Sequence, residues 1–251
     1  EALGWPVPVY GHVPLIHGPD GKKLSKRHGA QAVEEYRDMG YLPETMRNYL
    51  LRLGWSHGDD EIIPTDQAIA WFNLENIGKS PARLDFKKLE NLNAHYIREM
   101  ADAKLIDVIA GWIGREATPR TLTETARARL LKAMGLLKER AKTVGELADT
   151  AAFLFDDGPR TLDAKAEKIL SPEARATLAD FLATAEGGAW TGSVLEDKAR
   201  ALAEAKGAKL GQVAQPIRAA VTGRTVSPPI FAMLEVLGRE ESIARMKACT
   251  P

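Results

Sequence analysis

The chain has 251 residues, 45% of them hydrophobic, and carries 34 basic and 34 acidic side chains. That apolar content can bury a sizeable core in two or three small domains, while zero net charge excludes a general coating by polyanions, so any such partner must be held locally. The one cysteine, Cys249, excludes an internal disulfide framework and a Cys-based zinc site, and the five histidines lack metal-ligand spacing, so no bound metal is expected. No stretch reaches the length of a membrane span and no signal peptide is visible, which predicts a soluble, cytoplasmic protein without membrane contact; a monomer is the separate expectation.

The opening, EALGWPVPVYGHVPLIHG, is apolar, punctuated by proline and strand-like from Val7 to Ile16. No later segment offers an evident strand partner, which predicts that this chain is the downstream part of a longer protein. Next comes GPDGKKLSKRHG, where Lys22, Lys23, Lys26 and Arg27 crowd between glycines. Such a stretch suits neither helix nor strand, and it reads either as a solvated basic turn or as a mobile anion-binding loop.

Beyond it nearly every segment has helical spacing. QAVEEYRDMG ends at Gly40, and LPETMRNYLLRLG has Pro43 near its start and Gly54 past its end. Leu42, Met46, Tyr49, Leu50 and Leu53 fall on one apolar face. Thr65 is expected to cap DQAIAWFNLENI, and Asp85 precedes FKKLENLNAHYIREM. From about residue 101 the texture becomes Ala-, Leu- and charge-rich helices with short polar joints. Ser193 and Glu196 read as a capping box closed by Gly207, and Ser227-Pro228 opens a helix that Gly238 ends. The fold class is therefore mainly α, with β structure confined to about the first twenty residues.

Two stretches break the neutral balance. From Arg115 to Lys142 eight cations meet three anions, and from Lys206 to Arg224 four cations meet none. That pattern suits a polyanion bound at a defined place. Arg218 stands apart, alone in the small-residue helix GQVAQPIRAAVTG, where a guanidinium can serve a salt bridge or fork onto a base edge.

GKKLSKRHGA followed by YRDMGYLPETMRNYLLRLGWSHGDDEI closely resembles bacterial glutamyl-tRNA synthetase, and KLGQVAQPIRAAVTG with SPPIFAMLEVLGREESIARM resembles the end of the same family. The opening motif resembles the KMSKS-type signature of class I synthetases, here Lys23-Leu24-Ser25-Lys26-Arg27. The resemblance implies an enzyme that activates glutamate with ATP, assisted by Mg2+ in the full-length protein, and transfers it to the 3′ end of tRNA(Glu), with tRNA(Gln) as a further candidate. It implies that Lys26 contacts ATP, supported by Lys23, Ser25 and Arg27, and that the HIGH-type motif and the glutamate pocket lie upstream of residue 1. It divides the chain into a catalytic-domain remnant (1–21), a KMSKS-type loop with a stem-contact region (22–100) and an α-helical cage in two lobes that binds the anticodon (101–251). By the same resemblance Arg140 reads the third anticodon base and Arg218 the first, with Ser227, Pro228 and Ile230 packed around it. Pro229, where some relatives have glycine, departs from the pattern. A free-standing tRNA-binding module without catalysis, or a helical scaffold for protein, remains the alternative from another class.

Overall fold

A computed structural model describes residues 2–8, 10–24 and 32–250. Thirteen α-helices and two short strands are present among them, so the fold is mainly α. Contacts divide the chain into two units, residues 1–99 with 142–144, and residues 100–141 with 145–251.

The first unit contains β1 (Ile16–His17), α1 (Val33–Asp38), α2 (Pro43–Gly54), α3 (Thr65–Trp71), β2 (Ala82–Arg83) and α4 (Phe86–Glu99). β1 pairs in parallel with β2, Ile16 opposite Ala82 and His17 opposite Arg83. Strand structure is thus not confined to the first twenty residues, and of the expected strand from Val7 only its last residue, Ile16, is extended in a ladder. Tyr36, Tyr41, Met46, Tyr49, Leu84 and Leu89 form the core, with Ile16, Leu24 and Leu53 packed against it. Leu50, expected on the apolar face of α2, is 47% exposed because the buried stripe passes through Leu42, Met46 and Tyr49 instead.

Buried amides replace caps that the sequence does not supply locally. Leu42, the N-cap of α2, has no side-chain cap of its own. Asn93, on α4, takes that role: its Oδ1 accepts from Leu42 N at 2.9 Å and from Thr45 Oγ1 at 2.8 Å. Its Nδ2 donates to the carbonyls of Gly40 and Lys142, so the amide is fully used. Asp85, just before α4, caps it, accepting from Lys87 N and Lys88 N. Thr65 is the first helical residue of α3, not its cap, and α3 stops at Trp71. Asn73 ends it, donating from Nδ2 to Trp71 O and accepting from Asn76 N, which favours a turn over helix.

The second unit contains α5 (Asp102–Ile113), α6 (Glu124–Lys138), α7 (Val144–Ala151), a short 3-10 turn (Ala152–Leu154), α8 (Ala164–Ile169), α9 (Pro172–Ala185), α10 (Gly192–Ala205), α11 (Leu210–Thr222), α12 (Ile230–Leu237) and α13 (Arg239–Lys247). α7 begins one residue earlier, at Val144 of the first unit. Thr123, Asp163 and Ser171 cap α6, α8 and α9 with their side-chain oxygens. Ser193 and Glu196 form no capping box. The first amide of α10, Gly192 N, instead donates to Glu235 on α12 at 2.6 Å, and Glu196 pairs with Arg200. α12 starts at Ile230 with Pro229 as its N-cap, later than Ser227-Pro228 suggested, and Gly238 ends it.

α11 is the hub, packed against α8, α9, α10, α12 and α13. Its small residues permit that approach: Val213, Ile217, Ala219, Ala220 and Val221 are all buried. Gly223 closes it at φ +74°, and a Cβ there would overlap the Thr161 carbonyl oxygen. From α13, Arg245 reaches under the hub with a fully buried guanidinium. It donates to the carbonyls of Phe153 (2.7 Å), Asp156 (2.6 Å) and Val221 (2.9 Å), and pairs with Glu241 at 2.5 Å. Glu241 in turn accepts from Gly158 N.

Candidate nucleic-acid interface

The basic loop enters from regular backbone. Gly18 N donates to Lys22 O, Lys22 N to Asp20 Oδ1, and Leu24 N to Ile16 O, while Lys23 makes an antiparallel bridge to His17. Gly21 adopts φ +76°, which that turn requires. Lys23 is therefore an exposed lysine on a hydrogen-bonded stem, anchored by the partly buried Leu24 next to it. Ser25, Lys26 and Arg27 lie outside the described residues, as do the last five residues, 25–29, of the segment expected to be mobile. Residues 18–24 of it are held by the bonds just named. Among the described residues no group of three His, Cys, Asp or Glu side chains is placed to hold a metal ion.

In the second unit the structure brings three of the predicted residues together. Arg218, half-buried on α11, donates from Nε to Ser227 Oγ at 3.0 Å, and Ser227 Oγ donates to Pro228 O at 2.8 Å. Pro228 is buried, and so is Ile230, the first residue of α12. Burial pushes the Arg218 guanidinium below its ordinary value, with no carboxylate to offset it. It remains a cation at neutral pH, partly stripped of water and with donors to spare. Thr222 secures the backbone here, donating to Arg218 O at 2.8 Å and to Arg224 O at 3.2 Å. Arg140 stands exposed in the turn after α6, and no contact joins it to this cluster among the described residues.

Most of the local charge excess read from the sequence is cancelled in three dimensions. Arg120 pairs with Glu116, Arg127 with Asp107, Arg129 with Asp157, Lys138 with Asp102 and Lys142 with Glu90. Lys206 pairs with Asp180, and Arg224 grips Asp149 with both terminal nitrogens, which holds that carboxyl below its usual range. Arg115, Lys132, Arg140, Lys209 and Arg218 form no ion pair among the described residues. Two of the residues the resemblance selected are thus among the few uncommitted cations of these stretches.

Sequence reasoning missed Gln215, one helical turn before Arg218. Its Oε1 is buried with no hydrogen-bond partner, an unusual state for a side-chain oxygen. The i, i+3 spacing from Arg218 was the available signal.

Comparison with known proteins agrees with this arrangement. Residues 96–250, more than half of the chain, match the family described as "Anticodon binding domain". The chain belongs to that family. Residues 1–91 match "tRNA synthetases class I (E and Q), catalytic domain". The "Glutamate--tRNA ligase 2" of Rhodospirillum centenum is 61% identical over 246 residues, covering 98% of this chain and 52% of that protein. The protein of the same name from Parvibaculum lavamentivorans is 59% identical over 248 residues, covering 98% of this chain and 50% of its own length. Among solved structures, a glutamate tRNA ligase from Elizabethkingia meningosepticum, in complex with its amino acid, superposes with a TM-score of 0.79 at 30% identity over 99% of this chain and 52% of its own. The glutamate-tRNA synthetase of Elizabethkingia anophelis gives 0.74 at 30% identity over the same shares. The resemblance to glutamyl-tRNA synthetases read from the motifs therefore stands, and this anticodon-binding-family chain spans about half the length of the curated relatives it matches.

Proposed function

We propose that this chain is the part of a glutamate–tRNA ligase that carries the KMSKS-type loop and reads the anticodon. The whole enzyme would activate glutamate with ATP and transfer it to the 3′ end of tRNA(Glu). The observation that carries the reading is Arg218: a half-buried guanidinium without a carboxylate, oriented by Ser227, on the hub helix of an anticodon-binding-family fold.

The chemistry follows from the residues. Single-stranded anticodon bases can be splayed from their stack and hydrogen-bonded on their edges. Arg218, with Nε held by Ser227, keeps its terminal nitrogens for one base, and the buried Pro228 and Ile230 would fix the loop and helix start that carry Ser227. Arg140 is the uncommitted cation assigned to the third anticodon base. In the catalytic half, charge develops on the α-phosphate and departing pyrophosphate as ATP reacts. Lys26, supported by Lys23, Ser25 and Arg27, would meet that charge with ammonium and guanidinium groups. In the whole enzyme Mg2+ would accompany the ATP phosphates. Residues 22–100 serve as loop and stem-contact region and residues 101–251 as the anticodon-binding part, in a soluble cytoplasmic monomer.

The test is a cycle of Arg140→Ala and Arg218→Ala against tRNA(Glu), tRNA(Gln) and variants changed at the first or third anticodon base. Each forked contact should cost about 1–3 kcal/mol for its own base, and almost nothing with a tRNA already altered there. Uniform weakening towards every tRNA would reduce both arginines to phosphate contacts and defeat the reading.

A further inference from the structure

The turn that carries Ser227 leaves α11 at Gly223 and is tied back to that helix at Arg218. Its two ends are held firmly. Asp163 N donates to Gly223 O at 2.9 Å, and Pro228 and Ile230 are buried beyond Ser227. Between these ends Val226 is exposed, and the Thr225 hydroxyl makes no hydrogen bond among the described residues. Arg224 is therefore the side chain that ties this stretch to another helix. Its Nη1 and Nη2 fork onto Oδ2 and Oδ1 of Asp149, and its backbone N–H donates to Thr222 Oγ1 at 3.2 Å.

Asp149 is a fixed point for that grip, because it stands on α7, whose Leu147, Ala148 and Ala151 are buried. The Arg224 and Asp149 side chains are themselves 46% and 62% exposed, and so open a pair adds little stability. Two parallel hydrogen bonds nevertheless fix a direction, which a single contact does not. From Arg224 the route to Arg218 is short on both sides. Thr222 Oγ1, which receives the Arg224 amide, donates to Arg218 O at 2.8 Å, and Ser227 Oγ accepts from Arg218 Nε at 3.0 Å.

We infer that Asp149 and Arg224 are positioning residues for Arg218: the fork holds the turn so that Ser227 stays on Arg218 Nε, and it thereby sets how sharply the first anticodon base is read. What Arg218 reads rests on the proposed function, while how Arg218 is held rests on the bonds just named. The fork has a second effect of the same sign. An unpaired Arg224 beside the site would attract the phosphates of any RNA, and Asp149 removes that competition. Holding the turn is the primary role, and it separates from silencing the charge once both partners are removed together.

The experiment takes this chain with Asp149→Ala, Arg224→Gln and the two combined, and reads each protein in two ways. The first needs no RNA: solvent exchange at the Arg218 Nε–H, followed by its 15N signal and identified by its loss in Arg218→Lys. All three variants should exchange about tenfold or more faster than the parent. The second is affinity for a tRNA(Glu) transcript and for transcripts changed at the first or the third anticodon base. First-base discrimination should fall about three- to tenfold in each single variant and no further in the double, with third-base discrimination unchanged. Arg127→Gln breaks the Arg127–Asp107 pair, another exposed one, and should leave both readings as in the parent. Unchanged exchange at Arg218 in both single variants overturns the inference. Discrimination that returns in the double variant also overturns it, because Asp149 would then only silence a cation, and so does an equal loss in Arg127→Gln. A parent without first-base discrimination defeats the function reading instead, and faster exchange in the variants would still identify the pair as the support of Arg218.

Discussion

Replacing Arg245 with methionine should be among the most damaging single changes to the second unit. The guanidinium is fully buried and satisfies three backbone carbonyls as well as Glu241. Methionine retains much of the volume and none of the donors. The Phe153 and Val221 carbonyls belong to buried residues and lose their partner without access to water. Asp156 is exposed, so its carbonyl can hydrate. Two buried acceptors at about 1–3 kcal/mol each, plus a shielded Glu241 left without its cation, give a loss of about 4 kcal/mol. Glu241 keeps the Gly158 amide, which limits its share. Burial lowers the Arg245 pKa and Glu241 opposes that shift, as expected of a cation placed where solvation is poor. The assay is urea denaturation followed by far-ultraviolet circular dichroism. With a slope of about 2 kcal/mol per molar urea, the midpoint of the second unit should fall by about 2 M. The Arg245→Met/Glu241→Met double variant should recover part of the loss, since removing both charges is far cheaper than stranding one. A single variant within about 1 kcal/mol of the parent would show that these carbonyls find other partners, and the account of the clamp would be wrong.

The other expectations concern single sites. Asn93→Leu strands the Leu42 amide and the Thr45 hydroxyl and takes one partner from the carbonyls of Gly40 and Lys142, the first of which keeps the Val144 amide, and should cost the first unit about 2–4 kcal/mol in a denaturant titration. Gly223→Ala combines a positive φ with overlap onto the Thr161 carbonyl and should lower the melting temperature by several degrees, with a cost of about 2 kcal/mol or more. Arg224 holds the Asp149 carboxyl low, so the pair's contribution is present above the ordinary carboxyl pKa and is lost as pH falls through the depressed folded value. The stability gap between the parent and Asp149→Asn should therefore be constant at neutral pH and close only below about pH 4, and solvent screening keeps it to about 1 kcal/mol or less.

Local grammar made much of this fold readable. Pro43, Asp85, Gly207 and Gly238 mark helix ends because each acts within its own turn of chain. Gly54 came one residue out, as the last helical residue and not the one after it. What escaped was set by partners far along the chain. β1 and β2 have two residues each, too few for a period, and lie on opposite sides of three helices and the basic loop. The supposed cap at Ser193 lost to Glu235, 43 positions from the amide it serves. Arg245 reads as one more cation on a polar helix, and nothing local shows that it is the most deeply embedded charge in the unit. At the candidate site, the motif located Arg218 and Ser227, while Gln215 is noticeable only once its oxygen is seen to be buried without a partner.

The same distinction bears on how a chain of zero net charge could hold the tRNA proposed for it. Total charge matters over distances longer than the screening length, about 10 Å at moderate salt, and at that range this protein is close to neutral. A phosphate or base edge responds at contact distance, where what counts is which cations have already found an acid. Arg224 and Arg218 lie six positions apart in one basic segment and look equivalent as sequence. Asp149, 75 positions from Arg224, takes up the first with two hydrogen bonds. The second meets only a hydroxyl, which orients the guanidinium without neutralising it. Acids from distant segments thus silence most of the cations in these stretches, and the few they leave are the ones able to bind.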